Sequence, residues 1–212
     1  MPTEFLVAPC TRAAARYAVE NWHYSRSIPV SKLACFGLWE AAKFTGAVVY
    51  GRGATSALGR PYGLSQTECV ELVRVALTDH ATQVSQVLAE SLRQLRATTP
   101  GLRLVVSFAD SGRNHHGGIY QATNWIYTGT TNSQDCYYVV HGQRIHGRSF
   151  RTRYTRLTMP GESALDYVRR AVDPDAHRLT EVPVKHRYLF PLDKAMRRRV
   201  AHLGRPYPKR SG

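Results

Sequence analysis

Acidic side chains are scarce: 15 Asp and Glu stand against 29 Lys and Arg, a formal charge of +14 at pH 7. A chain so short of acids is not built for cationic partners. It points instead to a polyanion, because cations that neutralise phosphates release counterions. The imbalance is local: residues 141–212 hold 17 cations against 6 acids, residues 1–140 only 12 against 9. Arginine dominates the tail, and its planar fork suits bidentate phosphate contacts. Cysteine is also sparse. Cys10, Cys35, Cys69 and Cys136 are far apart with no Cys-x-x-Cys pair. That excludes zinc-finger spacing and a dense disulfide scaffold, and fits reduced thiols in a cytoplasm. No stretch of about 18 apolar residues exists, which argues against a membrane span. The opening residues Met1 to Pro9 lack the basic n-region of a secretory signal. There is no internal repeat and no low-complexity tract. What is present, 43% hydrophobic residues in 212, suffices for one core with a small appendage.

Thr11 is placed to cap a helix running to about Asn21. Leu33 to Glu40 and Phe44 to Tyr50 read as two strands joined by a short turn. Val70 to Leu77 is a β-rich run. After it, Val84, Val87, Leu88, Ser91, Leu92 and Leu95 form a stripe at helical period. Pro100-Gly101 ends that helix, and Leu102 to Ala109 is a nearly continuous apolar run suited to a buried strand. Strand, helix and strand of these lengths make a right-handed crossover with parallel strands. A second helix is expected over His116 to Thr123, then strands near Trp125 to Thr128, Cys136 to His141 and His186 to Phe190. Further helices are expected over Ser163 to Val172 and Asp193 to Leu203. The charge shift places a boundary near Gly147, between a core of residues 1–147 and a basic C-terminal extension of residues 148–212 packed on it.

Several side chains carry chemical potential on their own terms. His23 and Tyr24 lie in an irregular segment before Pro29; a histidine there is a general base or metal ligand, or simply a hydrogen-bonded side chain. Asp110 follows the second parallel strand, where open sheets place ligands, but Asp110-Ser111-Gly112 also reads as a capped turn. Arg74 sits mid-strand and needs a partner, Glu71 or a bound phosphate. Arg148, Arg151, Arg153 and Arg156 interleave with Phe150 and Tyr154, a pattern suited to nucleic acid or to a solvated face.

The element order resembles the GNAT acyltransferase fold: an α+β (α/β) arrangement with a mixed central sheet, splayed parallel strands and helices on both faces. That resemblance implies an acetyl-CoA site. Val75 and Leu77 would meet the pantetheine arm. The N–H groups of Thr82, Gln83, Val84 and Ser85 would receive the pyrophosphate, since helix N-termini carry unpaired donors and partial positive charge. Tyr120, in Ile119-Tyr120-Gln121-Ala122, matches the fold's phenol near the leaving thiolate. The phosphate loop departs from the pattern: Asp79-His80-Ala81-Thr82-Gln83-Val84-Ser85 has no glycine.

Three strings together resemble the Mom family of phage proteins: Asn21-Trp22-His23-Tyr24-Ser25-Arg26, Phe108-Ala109-Asp110, and His115-His116-Gly117-Gly118-Ile119-Tyr120-Gln121-Ala122. The resemblance spans roughly residues 20–210. It implies conversion of adenine in duplex DNA to N6-(methylcarbamoyl)adenine, which shields phage DNA from host restriction. It also implies acetyl-CoA and iron as cofactors, and a catalytic set of His23, Tyr24, Asp110 and Tyr120. His23, Asp110 and His116 are the expected metal ligands. Arg148, Arg151, Arg153, Arg156, Lys185 and Arg187 are the expected DNA contacts. The expected partner is double-stranded DNA in a bacterial host cytoplasm and not a membrane; the oligomeric state is left open, with a dimer as one option. An ordinary N-acetyltransferase and a non-catalytic DNA-binding protein are the alternatives at this point.

Overall fold

The computed structural model describes residues 4–53, 55–113, 115–131, 136–180 and 184–209. Contacts divide the chain into two units. The first comprises the described residues of Met1–Ala109, Asn114–Gly129 and His186–Gly212; the second, those of Asp110–Arg113 and Thr130–Lys185. The expected division after Gly147 is therefore not where the contacts fall. The reason lies in the last strand, whose residues from His186 onward belong with the main sheet.

The strands of that sheet are β1 (Phe5–Pro9), β2 (Leu33–Glu40), β3 (Lys43–Gly51), β4 (Cys69–Leu77), β5 (Leu104–Asp110), β6 (Ile126–Thr130) and β10 (Lys185–Pro191). Their order is β1-β2-β3-β4-β5-β10-β6. β1 to β4 form an antiparallel meander, and β4 then pairs with β5 in parallel.

Alternation along the strands serves two faces. On one, α1 (Arg12–Trp22) packs Ala15, Ala18 and Val19 against Ala47, Val49 and Ala76. On the other, α2 (Val84–Thr98) packs Leu88, Leu92 and Leu95 against Val48, Tyr50, Leu72 and Val105. Leu104 and Val106, the alternate residues of β5, meet Met196 and Val200 of α6 (Lys194–Val200). Helices thus cover both faces of a mixed sheet, as expected of the α+β fold class. The caps follow the sequence: Thr11 Oγ1 accepts from the Ala14 amide at 3.1 Å, and Asp193 Oδ1 from the Met196 amide at 2.6 Å.

The helix expected over His116 to Thr123 shortens to one turn, α3 (Gly118–Gln121). Gly117 before it has φ +84°, and Asn124 after it is also left-handed. Both ends leave helical geometry, so the segment holds no more than that turn.

The second unit has its own small core. β7 (Tyr137–Val140) lies between β8 (Gln143–His146) and β9 (His177–Arg178). Val140, Phe150, Tyr154, Val168 and Ala176 pack together with α4 (Gly147–Tyr154) and α5 (Ala164–Ala171). The arginine-rich segment is therefore a helix, α4, with Phe150 and Tyr154 four apart on its buried side.

Candidate active site

The parallel ladder of β4 and β5 is short. It holds only Cys69 with Leu104, Val70 with Val105 and Glu71 with Val106. Beyond Glu71, β4 continues to pair with β3 alone, Val75 lying opposite Val48 and Leu77 opposite Gly46. The two strands part toward their carboxyl ends, where open sheets hold ligands. At the point of parting the Ser107 hydroxyl donates to the Leu72 carbonyl oxygen (3.0 Å) and shares a 2.8 Å hydrogen bond with the Tyr120 phenol. A cavity of about 660 Å³ opens there, lined by His23, Tyr24, Leu72 to Val75, Phe108, Ala109 and His115 to Tyr120.

His23 is set by the end of α1: its amide donates to the Val19 carbonyl at 3.2 Å. Arg74 fixes the following segment from within β4, donating from Nε to the Ser27 carbonyl at 3.0 Å. Arg12 holds the same segment from the helix, donating to the Pro29 and Ser31 carbonyls. The ring of His23 is neutral at pH 7. Burial, reinforced by the nearby Arg74 and His115, lowers its pKa from 6.5 to about 4. The Ser25 amide donates to Nδ1 at 3.1 Å, and an amide can only donate. Nδ1 is thus the acceptor, and the neutral ring carries its proton on Nε2. The imidazole offers a hydrogen-bond donor and not a free base.

Tyr24 exposes half its surface and lies against His23, with ring centroids 4.2 Å apart. His115 meets Tyr24 edge-on at 5.8 Å. The buried Tyr120 phenol is pushed up to about 12 by desolvation. Gly117 has a defined reason to be glycine: its φ is positive, and a Cβ there would run into the Tyr188 ring. Tyr188 Oη in turn donates to the His116 carbonyl, so the His-His-Gly-Gly turn is clamped against β10.

The expected residues do not all converge. His23, Tyr24, Val75, His116 and Tyr120 line the cavity; Asp110 is not among the lining residues. Its carboxylate accepts the Gly112 amide at 2.9 Å, capping the turn after β5. Among the described residues no three His, Cys, Asp or Glu side chains are grouped to hold a metal ion. The expected iron set of His23, Asp110 and His116 is thus not assembled, and these residues do not fit a resident metal.

The expected donor site also departs from the pattern. The loop ahead of α2 would offer its amides to a pyrophosphate. Here the Glu40 carboxylate takes two amides at the end of that loop: the Ala81 amide donates at 3.1 and 3.0 Å, the Thr82 amide at 2.7 Å. Hydrogen bonds from Thr82, then Ala81, hold the Glu40 carboxyl below its ordinary range. Thr82 is buried, and Gln83 occupies the N-cap position of α2 without a side-chain cap, ahead of Val84 and Ser85. An internal carboxylate thus occupies one of the four expected donors, the Thr82 amide.

Arg148, Arg151, Arg153 and Arg156 are exposed on α4 and the turn after it. Arg148, Arg153 and Arg156 line a groove of about 480 Å³ with Ser149 and Thr152. Lys185 begins β10. Arg187 is half-buried, its Nε donating to Thr128 Oγ1 at 2.8 Å. Sequence reasoning left Arg74 outside its site, as it did His115 and Phe108, which also line the cavity. The signal for Arg74 was present, a charge in mid-strand among apolar neighbours.

A family model described as the Mom protein family matches residues 4–209. The chain belongs to the Mom family. A curated Mom relative, the methylcarbamoylase mom of Escherichia phage Mu, is 26% identical over 136 residues. The match covers 62% of this chain and 56% of that protein, so the chain spans about half the length of the curated relative it matches. Among solved structures, similar ones include FeeM, an N-acyl amino acid synthase from uncultured soil microbes. It is 11% identical, with 95% of this chain and 98% of that one covered and a TM-score of 0.49. Another is the spermidine/spermine N-acetyltransferase SpeG of Vibrio cholerae, at 10% identity, 92% and 96% coverage and a TM-score of 0.46. No helix of this Mom-family chain is long and apolar enough to cross a membrane, among the described residues.

Proposed function

We propose that this chain is a phage DNA-modifying transferase that alters the exocyclic amine of adenine in duplex DNA, yielding N6-(methylcarbamoyl)adenine and shielding the DNA from host restriction. The observation that carries this reading is Mom-family membership over residues 4–209, joined to a cavity lined by that family's resembling strings. A base inside a duplex must leave the stack before its amine can react, at a cost of a few kcal/mol. A cavity of about 660 Å³ lies within the range of small-molecule sites and accommodates one purine. Within it, the exposed Tyr24 ring supplies a stacking face, and the Nε2–H of neutral His23 supplies a donor for a ring nitrogen. Arg74 and Tyr120 define the wall between the parted strands. The exposed arginines of α4 supply phosphate contacts in this reading, which fix the duplex without reading its sequence.

The test is mass spectrometry of nucleosides from DNA of cells expressing the chain. A new, heavier deoxyadenosine is expected, shifted by the methylcarbamoyl group. Unmodified deoxyadenosine from cells that accumulate the folded protein would overturn the reading.

A further inference from the structure

The small sheet of the second unit has two faces of unlike chemistry. β7 and β8 form a hairpin whose two connecting residues, His141 and Gly142, have φ +48° and +71°. Positive φ at both positions is the geometry of a type I′ turn, which joins two strands tightly. Side chains alternate across the ribbon. Tyr138, Val140 and Ile145 face the core of the unit, where Tyr138 stacks on Phe150 at 3.8 Å. Tyr137, Arg144 and His146 take the other face. There Tyr137 lies opposite His146, and Arg144 is its diagonal neighbour. The Arg144 guanidinium sits over the Tyr137 ring, 3.9 Å from its centroid, and His146 meets that ring edge-on at 5.1 Å. His146 is itself pinned, its Nδ1 accepting from the Arg148 amide at 3.1 Å. Arg144 is exposed, Tyr137 is half-buried, and β8 is an edge strand of its sheet.

A guanidinium stacked through its face keeps its N–H donors on the rim, unlike one committed to a carboxylate. Among the described residues Arg144 has neither a salt-bridge partner nor a hydrogen-bond acceptor. Asp173, the acid at the turn, accepts instead from the His141 and Asp175 amides. The ring thus aims a planar fork of donors that nothing else in the unit uses. A two-stranded ribbon fits the major groove of B-form DNA, where guanine presents N7 and O6 as a matching pair of acceptors. α4, with its exposed arginines, follows β8 directly.

We infer that Arg144, held on Tyr137, reads the N7 and O6 edge of a guanine in the major groove and so sets the sequence context in which adenine is modified. The inference rests on duplex DNA being the substrate, as in the proposed function. Tyr137 is a positioning residue, which aims the guanidinium and touches no base. The α4 arginines hold phosphates and carry no sequence preference.

Selection from a pool of random duplexes with the full chain tests it, followed by binding to the selected duplex and to the same duplex carrying 7-deazaguanine, which lacks the N7 acceptor. Wild type is expected to select guanine at one position or more and to bind the 7-deazaguanine duplex more weakly. Arg144→Ala is expected to lower the discrimination at that position about fivefold or more, with affinity for the unselected pool within about threefold. Tyr137→Leu, which keeps the charge and removes the ring, is expected to lower discrimination in the same direction. Arg148→Ala/Arg153→Ala is expected to weaken every duplex alike and leave the preference intact. The assignment is overturned if wild type binds no duplex or shows no guanine preference, or if 7-deazaguanine is bound as tightly as guanine. It is equally overturned if Arg144→Ala keeps the preference or weakens all duplexes alike, as loss of a phosphate contact would. The nucleoside spectrum is read separately. Modified deoxyadenosine without a guanine preference ends this inference alone, and a guanine preference without modified deoxyadenosine ends the proposed function alone.

Discussion

At the residue scale, the chemistry of the cavity turns on protonation states that only the fold fixes. His23 was legible as a functional histidine, but its tautomer was not, because that depends on where the Ser25 amide points. Its lowered pKa has a consequence for stability. The unfolded chain takes up a proton near 6.5 and the folded one near 4. The contribution is therefore complete above about pH 6.5 and is lost as pH falls toward 4. Urea unfolding of wild type and His23→Gln at pH 7, 5 and 4 checks this. The variant should lose less stability on acidification; identical slopes would place the titration elsewhere. Gly117 is a sharper case. Gly117→Ala needs a positive φ and pushes a methyl into the Tyr188 ring, which is expected to cost roughly 1–3 kcal/mol and lower the thermal midpoint. An unchanged midpoint would mean the turn relaxes freely. Asp110 shows the limit of the sequence. Its position after a strand fits a ligand site and a turn cap equally well, and the Gly112 amide takes its carboxylate.

At the scale of elements, the crossover β4-α2-β5 was readable because three signals agree there: a β-rich run, a helical stripe and a buried apolar strand. α4 was not readable. Its sequence GRSFRTRY offers just two buried side chains among exposed arginines, and its N-cap is a histidine ring accepting from the Arg148 amide. β1 escaped as well, being five residues that end in proline. The parting of β4 and β5 was expected from the fold resemblance, yet the hydroxyl at its apex was not. Ser107 is fully buried and serves both the Leu72 carbonyl and the Tyr120 phenol. Ser107→Ala leaves both groups short of a partner, at an expected cost of about 1–3 kcal/mol. Chemical denaturation measures it, and a loss below about 0.5 kcal/mol would show that other groups take over.

Across the whole molecule, the charge of +14 was plain from composition, and so was its concentration after residue 140. Its division between two units was not. The tail contributes α4 and α5 to one and most of β10 with α6 to the other. Composition carries no record of which sheet a late strand joins. If the α4 arginines bind phosphate, duplex affinity should fall with salt. Replacing Arg148, Arg151, Arg153 and Arg156 by Ala should flatten the log–log slope by about 0.9 for each phosphate no longer neutralised. An unchanged slope would move the DNA surface elsewhere. The most direct test of the account compares deoxyadenosine mass spectra from DNA of cells expressing wild type, His23→Gln or Tyr24→Ala, with protein levels matched. The account predicts a heavier deoxyadenosine with wild type and its loss with both variants. Full modification with both variants would contradict the placement of the reaction in the cavity between the parted strands.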